Sequence, residues 1–600
     1  MAHKHTKQKS TTKTGATKRH GTSKHSNKKH SNKKRSNKKR SNKKRSDKKR
    51  RVVVLGSGGA GLTAAIAAHD AGAKVKVFEK ADKVGGTTAW SGGMLWIPNN
   101  HLEAQAGVDD SRDDALTYLM SMSHGLIERE MAEAFLDAGP MIVRHLCDHT
   151  PVHFRAIPDF PDYHAEFPGG KPGGGRSLDT PPYSFKELGK WEKRVTPSPY
   201  YPDPRLSIYD TPLGQALPQP VPEEELERRT REHERGSGQA LAGRLLRACL
   251  DRDIEPQTRS RAVELVMRKG AVRGVVIEHR NETKRVDCDA VVLATGGFEW
   301  NEEFKRAFLR GPMTHPVSID TNTGDGLRMA MRVGAMLGNM REAWWMPVAE
   351  VPREDVSTGV NLIAGIRSLP RCIMVNREGR RFTNESANYN AIGAAFHDQD
   401  VSAFAYKNQP CWIVFDQGYI ERYGFPITGG KPGVSPPQWV TAAPTVAALA
   451  DKLGISRTAL EGTVTRWNAQ VAAGRDDDFH RGEAAHDQWW GDASARGGPG
   501  ASLGPLDRGP FYAVEIKSGA LGTKGGPKTD VNANVLDVDG KPIVGLYAAG
   551  NVMASPMGMT YGGAGGTIAP GMVFGYLAGR HAAGDPVFPK KTHKRNRKAR

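Results

Sequence analysis

The chain has 600 residues, 38% of them hydrophobic and 7% aromatic, with 68 glycines and a formal net charge of +21. That length and apolar content exclude a wholly disordered chain and predict two or more domains, and glycines without a three-residue period exclude collagen. The charge lies in the ends: residues 1–51 carry 22 Lys and Arg against the single acid Asp47, residues 590–600 carry seven bases and no acid, and the body between holds 57 bases against 64 acids.

In chain order, Ser-Asn-Lys-Lys-Arg or a near variant repeats from Ser26 to Arg50. Nothing there can bury a core, so residues 1–50 read as a disordered basic tail, with a second tail at 586–600. Such tails suit solubility, an anionic membrane surface or salt-sensitive nucleic-acid contact. No aromatics interleave the bases, which argues against sequence-specific nucleic-acid reading. No apolar segment follows the N-terminal bases and no long apolar run occurs, so neither a secretory signal nor a spanning helix is expected. Cys147, Cys249, Cys288, Cys372 and Cys411 are scattered without metal-ligand spacing and read as reduced thiols. The expected setting is the cytoplasm, with peripheral membrane contact open to the tails.

Ordered sequence begins at Arg51-Val52-Val53-Val54-Leu55, which predicts a strand. Gly56-Ser57-Gly58-Gly59-Ala60-Gly61 follows, then an alanine-rich helical stretch to about Asp70 and a second strand from Lys74 to Glu79. This is a βαβ unit with a parallel pair. In that setting Gly56 makes the tight turn, Gly58 lets backbone approach a pyrophosphate, and Gly61 lets helix lie on strand. The helix N-terminus offers N–H groups to phosphate, and Glu79 is placed to accept from ribose hydroxyls. The alternative is a plain βαβ unit with an exposed Glu79.

Residues 110–150 and Gln239–Cys249 read as helical, Ala262–Val266 and Val272–Glu278 as strands, and Ala290–Thr295 as a buried strand ending in Gly296-Gly297. Residues 156–235 are rich in Pro, Gly and charge, an irregular connection. Residues 302–510 are mixed α/β and aromatic-rich, and 511–585 return to strand-then-glycine character before an apolar helix, Gly571–His581.

After Glu79 and Lys80 comes Val84-Gly85-Gly86-Thr87-Thr88-Ala89-Trp90-Ser91-Gly92-Gly93. This run resembles the flavin-cradling segment of the fumarate reductase/succinate dehydrogenase flavoprotein superfamily. Ala294-Thr295-Gly296-Gly297-Phe298 is similar to its adenine-side strand and turn, and Gly545-Leu546-Tyr547-Ala548-Ala549-Gly550-Asn551 to its late strand toward the flavin. The resemblance implies an α/β fold: a Rossmann-like, glutathione-reductase-type FAD-binding domain (52–301 and 511–585) with an inserted α+β catalytic domain (302–510). It implies FAD, held non-covalently, because no histidine stands near Gly86 where covalent members carry one. The cofactor-binding residues implied are Gly56, Ser57, Gly58, Gly59, Ala60, Gly61, Glu79, Lys80, Gly85, Gly86, Thr87, Thr88, Ser91, Gly92, Gly93, Thr295, Gly296, Gly297, Asp325, Gly550, Asn551, Thr567 and Ile568.

Within the superfamily the chain resembles the 3-ketosteroid Δ1-dehydrogenases from Val52 to about His581, in stretches such as Ser91–Pro98, Asn322–Gly326, Gly379–Ser386, Leu521–Gly526 and Met557–Ile568. The reaction so implied is 1,2-desaturation: two donors polarise the C3 carbonyl, a base takes a C2 proton, and flavin N5 accepts hydride from C1. The resemblance assigns the donors to the Tyr561 hydroxyl and the Gly565 N–H, on a glycine loop that leaves N–H groups unshielded. It assigns the base to Tyr389. An ordinary phenol near pKa ~10 is a poor base, so neighbouring donors or a second tyrosine are required. The family's helper tyrosine comes from an Asp-Tyr-Tyr-like stretch. This chain has Asp162-Tyr163-His164, so Tyr163 serves if the helper is the first aromatic, and His164 replaces it if the second. Fumarate reductases carry an arginine acid at the place of Tyr389, and a phenol there disfavours a dicarboxylate. Trp344, Trp345 and Met346 read equally as a wall for a flat polycycle or as core. No metal site is expected. The electron acceptor stays open, a quinone being one candidate. Rival activities are Δ4-dehydrogenation, reduction of an unsaturated acid, or a flavin-containing binding protein acting through its basic tails.

Overall fold

Val52, Val53, Val54 and Leu55 are all buried and form β1 (Arg51–Leu55) in a computed structural model that describes residues 49–588, apart from 202, 281 and 355–357. Nearly all of both basic tails, and the readings attached to them, lie outside the described residues. The glycine turn enters α1 (Gly59–Asp70), and β2 (Lys74–Phe78) returns parallel to β1 with Leu55 opposite Phe78. Gly56 sits at φ +106°, and a Cβ there would lie 2.1 Å from the Ala294 carbonyl oxygen, so only glycine makes this turn. A Cβ on Gly61 would lie 2.1 Å from the Gly56 carbonyl oxygen, which is what lets α1 cross the strand end so closely. The stretch read as helical over 110–150 is two helices, Arg112–Ser121 and Arg129–His149, parted where His124 and Gly125 both take positive φ.

Helix α2 (Ser237–Leu250) packs on α1. An antiparallel trio follows, β3 (Ser260–Arg268), β4 (Ala271–His279) and β5 (Glu282–Asp287). Then β6 (Ala290–Leu293), buried throughout as a central parallel strand should be, lies beside β1 with Val54 opposite Val292.

The second sheet contains β7 (Ala343–Glu350), β8 (Val360–Leu362), β9 (Cys372–Asn376), β10 (Cys411–Asp416) and β11 (Phe511–Thr523), in the order β8-β7-β11-β10-β9. Between β9 and β10 the chain forms α3 (Tyr389–Ala395). Residues 511–523, grouped by sequence with the FAD-binding stretch, are instead the central strand of this second sheet. A buried apolar run ending in glycine reads alike in either sheet, and its partners are remote in sequence.

The chain then returns to the first sheet with β12 (Asn534–Leu536) and β13 (Pro542–Ala548), the latter parallel to β6, and closes with α4 (Ile568–Ala583). The first sheet runs β5-β4-β13-β6-β1-β2. Added Cβ atoms on Gly575 and Gly579 would lie 2.4 and 2.3 Å from the carbonyl oxygens of Ala60 and Ala64. Their spacing of four keeps them on one face, so α4 meets α1 backbone to backbone. The carboxyl ends of β1, β6 and β13 therefore open together on one edge, where parallel sheets hold their ligands. Among the described residues no helix is long and apolar enough to cross a membrane. The cysteines are free thiols.

Candidate active site

A cleft of about 290 Å³ runs from that sheet edge to a cluster of tyrosines. Its first end is built from backbone. Gly58 precedes α1 and provides no side-chain cap, so first-turn N–H groups of Gly59, Ala60 and Gly61 lack that partner. Among the described residues only Gly59 N–H of these has a partner, Thr88 Oγ1 at 3.0 Å. A Cβ on Gly58 would meet nothing nearer than 3.7 Å, so the space above it is open. Glu79 is buried, accepting from Ser57 N (2.9 Å) and Ser57 Oγ (2.6 Å) on one oxygen and Ala81 N (2.8 Å) on the other. The oxygen bonded to Ala81 N retains capacity for a further donor. Lys80 pairs with Asp325 at 3.1 Å, and Arg261 clamps the same carboxylate at 2.8 and 2.9 Å.

Of the expected cofactor residues, Gly56 to Ala60, Glu79, Lys80, Gly86, Thr87, Thr88, Ser91, Gly92, Gly93, Thr295, Gly296, Asp325, Gly550, Asn551, Thr567 and Ile568 line the cleft. Gly61, Gly85 and Gly297 stand behind its wall. Gly61 is filled by Gly56, Gly85 at φ +109° precedes the short helix Gly86–Trp90, and a Cβ on Gly297 would strike Thr523 Oγ1 at 2.2 Å. Two buried polar atoms on the cleft wall, Thr295 Oγ1 and Trp90 Nε1, have no partner among the described residues. Buried donors of this kind call for a polar ligand. An uncapped helix N-terminus, open space over Gly58, a buried carboxylate and orphaned donors together fit a dinucleotide.

The far end is built from side chains. Tyr163 Oη donates to Tyr389 Oη at 3.0 Å. The rings of Tyr163, Tyr389 and Tyr561 stand mutually 5.1–5.4 Å apart between centroids. Tyr389 opens α3, whose N-cap Asn388 accepts from Ala391 N. The Asn388 amide also donates to His164 Nε2 at 2.9 Å. His164 thus turns away from the phenols, and burial pushes its imidazole down to about 4. Asp162, one residue earlier, is gripped by Arg176 and by Trp96 Nε1, both at 2.7 Å. Trp96 in turn lies against Gly562 and Gly563. A buried ion pair and an indole thereby tie the Tyr163 segment to the loop bearing Tyr561 and Gly565.

Thr567 Oγ1 donates to Tyr561 Oη at 2.9 Å. Gly565 sits at φ +99° with its Cβ position filled by Leu95 backbone at 2.5 Å, so no other residue fits there. Lys524 Nζ donates to the carbonyls of Met559 (2.9 Å) and Thr560 (2.8 Å) and lies 4.1 Å from the Trp344 ring, stapling the chain just before Tyr561. Burial holds Tyr163 and Tyr389 well above the usual tyrosine range, and raises Tyr561 as well.

Trp344 and Trp345 are core: one edges onto Tyr561 and donates to Asn551, the other packs on His397. Met346 alone of the three lines the cleft. Sequence reasoning did not single out Phe160, Tyr200, Tyr201, Ile208 and Leu213, from the irregular 156–235 segment, or Trp490. Among the described residues the charged members of the cleft wall are Glu79, Lys80 and Asp325, all at the first end, and none is a histidine or cysteine.

The family model described as "FAD binding domain" matches residues 51–568. The chain is 40% identical to 4-oxocyclohexanecarboxylate 2-dehydrogenase of Sinomonas cyclohexanicum, covering 89% of this chain and 92% of the relative. It is 38% identical to 3-oxosteroid 1-dehydrogenase of Mycobacterium tuberculosis, covering 89% and 98%. The crystal structure of 3-ketosteroid delta1-dehydrogenase from Sterolibacterium denitrificans in complex with 1,4-androstadiene-3,17-dione superposes with a TM-score of 0.81 at 32% identity, covering 89% of this chain and 99% of that one. The chain belongs to the FAD-binding oxidoreductase family that includes the 3-oxosteroid 1-dehydrogenases, with a mixed α/β flavoprotein fold and FAD as its cofactor.

Proposed function

We propose that the protein desaturates the C1–C2 bond of a 3-ketosteroid. The observation that carries this reading is the far end of the cleft: Tyr163, Tyr389, Tyr561 and Gly565 line it together with Phe160, Tyr201, Ile208, Leu213, Met346 and Trp490, none of which carries a charged side chain. A flat, neutral, apolar ketone suits it. A 4-oxocyclohexanecarboxylate, the substrate class in the name of one relative, would bring a carboxylate to a wall without a cation, at a cost of several kcal/mol. The same argument disfavours an unsaturated acid.

Tyr561 Oη and Gly565 N–H hold the C3 oxygen, with Thr567 orienting the phenol. Two such donors are worth most as negative charge gathers on that oxygen, which acidifies the C2 hydrogens. Tyr389 takes the C2 proton, and Tyr163, donating at 3.0 Å, stabilises its phenolate. His164, bonded to Asn388, is given no proton-handling role. FAD, when bound, supplies the acceptor for the C1 hydride. On this reading the glycine turn, Glu79 and the Gly86–Gly93 run would hold it non-covalently. On this reading the first sheet is the core of a Rossmann-like domain and the second belongs to an inserted catalytic domain.

The test is anaerobic mixing of FAD-replete protein with 4-androstene-3,17-dione and, separately, with 4-oxocyclohexanecarboxylate, following flavin absorbance near about 450 nm and the product by mass spectrometry. Fast bleaching with a Δ1 product from the steroid alone is expected. Bleaching by the carboxylate alone overturns the steroid reading.

A further inference from the structure

Burial keeps the Tyr389 phenol protonated at rest, yet a general base must first be rid of its proton. Tyr389 is itself wedged among Tyr163, Tyr561 and Trp490. Its hydroxyl is bonded to Tyr163, and beyond Tyr163 stands His486, on the helix Ala485–Trp490. His486 is 2% exposed, and its ring meets Tyr163 edge-on with centroids 5.0 Å apart at 78°. Neither ring nitrogen has a hydrogen-bond partner among the described residues. A buried polar atom left so costs about 1–3 kcal/mol, and two on one ring require an explanation. Asp487 Oδ1 is 3.7 Å from Nδ1, too far for a hydrogen bond. The other oxygen of Asp487 is held by Asn384 Nδ2 at 2.8 Å and Gly482 N at 3.0 Å, so the carboxylate is fixed beside the imidazole. Trp490 covers the ring at 5.8 Å. The remaining charged or titratable groups acting on it are Arg367, Glu166 and His164. Arg367 is itself engaged by the carbonyls of Glu385 and Ala387.

We infer that His486 is the proton acceptor behind the tyrosine pair, acting through Tyr163. The step balances without any oxidant. Before substrate is deprotonated, the bond between the two phenols reverses so that Tyr389 donates; Tyr163 then gives its own hydroxyl proton to an His486 nitrogen through one bridging water and takes the Tyr389 proton in exchange. Tyr389 is then a phenolate that accepts a hydrogen bond from Tyr163, with Asp487 beside the imidazolium. When the C2–H bond breaks, its electron pair enters the C2–C3 bond of the enolate and the proton goes to Tyr389 oxygen. The imidazolium passes its proton outward, and the relay is reset for the next turnover. Burial, with the charge of Arg367 opposing that of Asp487, holds the His486 imidazole below the ordinary histidine range. The relay is therefore ready at neutral pH and stalls as acid protonates the ring.

The inference rests on the ketosteroid reading, and the experiment separates the two. Dithionite-reduced holoenzyme, unable to accept hydride, is incubated with 4-androstene-3,17-dione deuterated at C2, and loss of deuterium is followed by mass spectrometry in wild type, His486→Gln and His486→Asn. Ligand affinity, FAD content and melting temperature are measured alongside. Wild type is expected to exchange C2 deuterium with an acid limb in its pH profile. Either variant that retains FAD and ketone affinity should exchange about 10- to 100-fold more slowly and lose that limb. Exchange at the wild-type rate with the limb intact in such a variant overturns the relay. Wild-type enzyme that exchanges nothing overturns the ketosteroid reading, and the relay with it.

Discussion

Replacing Tyr561 by phenylalanine removes one hydroxyl and leaves the ring against Trp344, Tyr163 and Tyr389, all within 5.4 Å between centroids. Packing is kept, and the loss falls on the C3 oxygen, whose donors drop from two to one. A missing oxyanion donor costs about 10²–10³ in rate, or ~3–4 kcal/mol of transition-state stabilisation. Thr567 loses the acceptor it holds at 2.9 Å, a penalty of about 1 kcal/mol that the fold survives. The assay is stopped-flow bleaching of the flavin by a 3-ketosteroid under anaerobic conditions, over a range of ketone concentrations. The limiting rate should fall by about 10²–10³ while the apparent Kd moves less than about fivefold, because the donor acts more strongly on the enolate than on the ground-state ketone. Thr567→Val keeps the phenol but frees it to rotate, with an expected loss of about tenfold. A Tyr561→Phe enzyme with full FAD content and a limiting rate within about threefold of wild type would refute the donor assignment.

Tyr163→Phe should slow flavin reduction by about 10- to 100-fold, whereas His164→Phe, which breaks only the bond to Asn388, should lower the melting temperature and leave the reduction rate within about threefold. The reverse ranking would move the helper role to His164. Gly61→Ala puts a methyl 2.1 Å from the Gly56 carbonyl oxygen; about 1–3 kcal/mol of overpacking is expected, seen as weakened FAD retention on gel filtration, and normal retention would count against the close crossing. For Lys524, burial draws the ammonium down to about 7, while in the unfolded chain it titrates near about 10.4. Between those values the folded state binds fewer protons, so wild type should gain stability relative to Lys524→Met as pH rises from 7 to 10, by up to about 1.4 kcal/mol per pH unit, and gain nothing below 7. Thermal melts across that range test it, and a pH-independent difference sinks it.

The two ends of the cleft differ in how they are encoded, and that difference explains what the sequence reveals. The cofactor end is made of backbone N–H groups and close crossings, so its chemistry depends on where a Cβ must be missing. Gly56 and Gly61 are demanded by carbonyl oxygens 2.1 Å away, and the demand is satisfied within one strand-turn-helix, where a short motif can display it. The substrate end is made of side chains delivered from distant segments. Tyr163 and Tyr389, 226 residues apart, carry no local signal that they meet. They were nameable only because each lies in a stretch resembling a family. Phe160, Tyr201 and Ile208 lie in a Pro- and Gly-rich connection where hydrophobic periodicity is lost, so nothing local marks them as wall. Phe511–Thr523 shows the same limit for topology: its pattern says buried strand, and only its partners β7 and β10 say which sheet. His486 is the extreme case. In sequence it is one histidine before Asp487, and its interest comes wholly from what surrounds it: a phenol on one side and, among the described residues, no hydrogen-bond partner on either nitrogen. A relay built this way has to be sought among buried groups left unsatisfied by the fold, since the residues that define it share no motif.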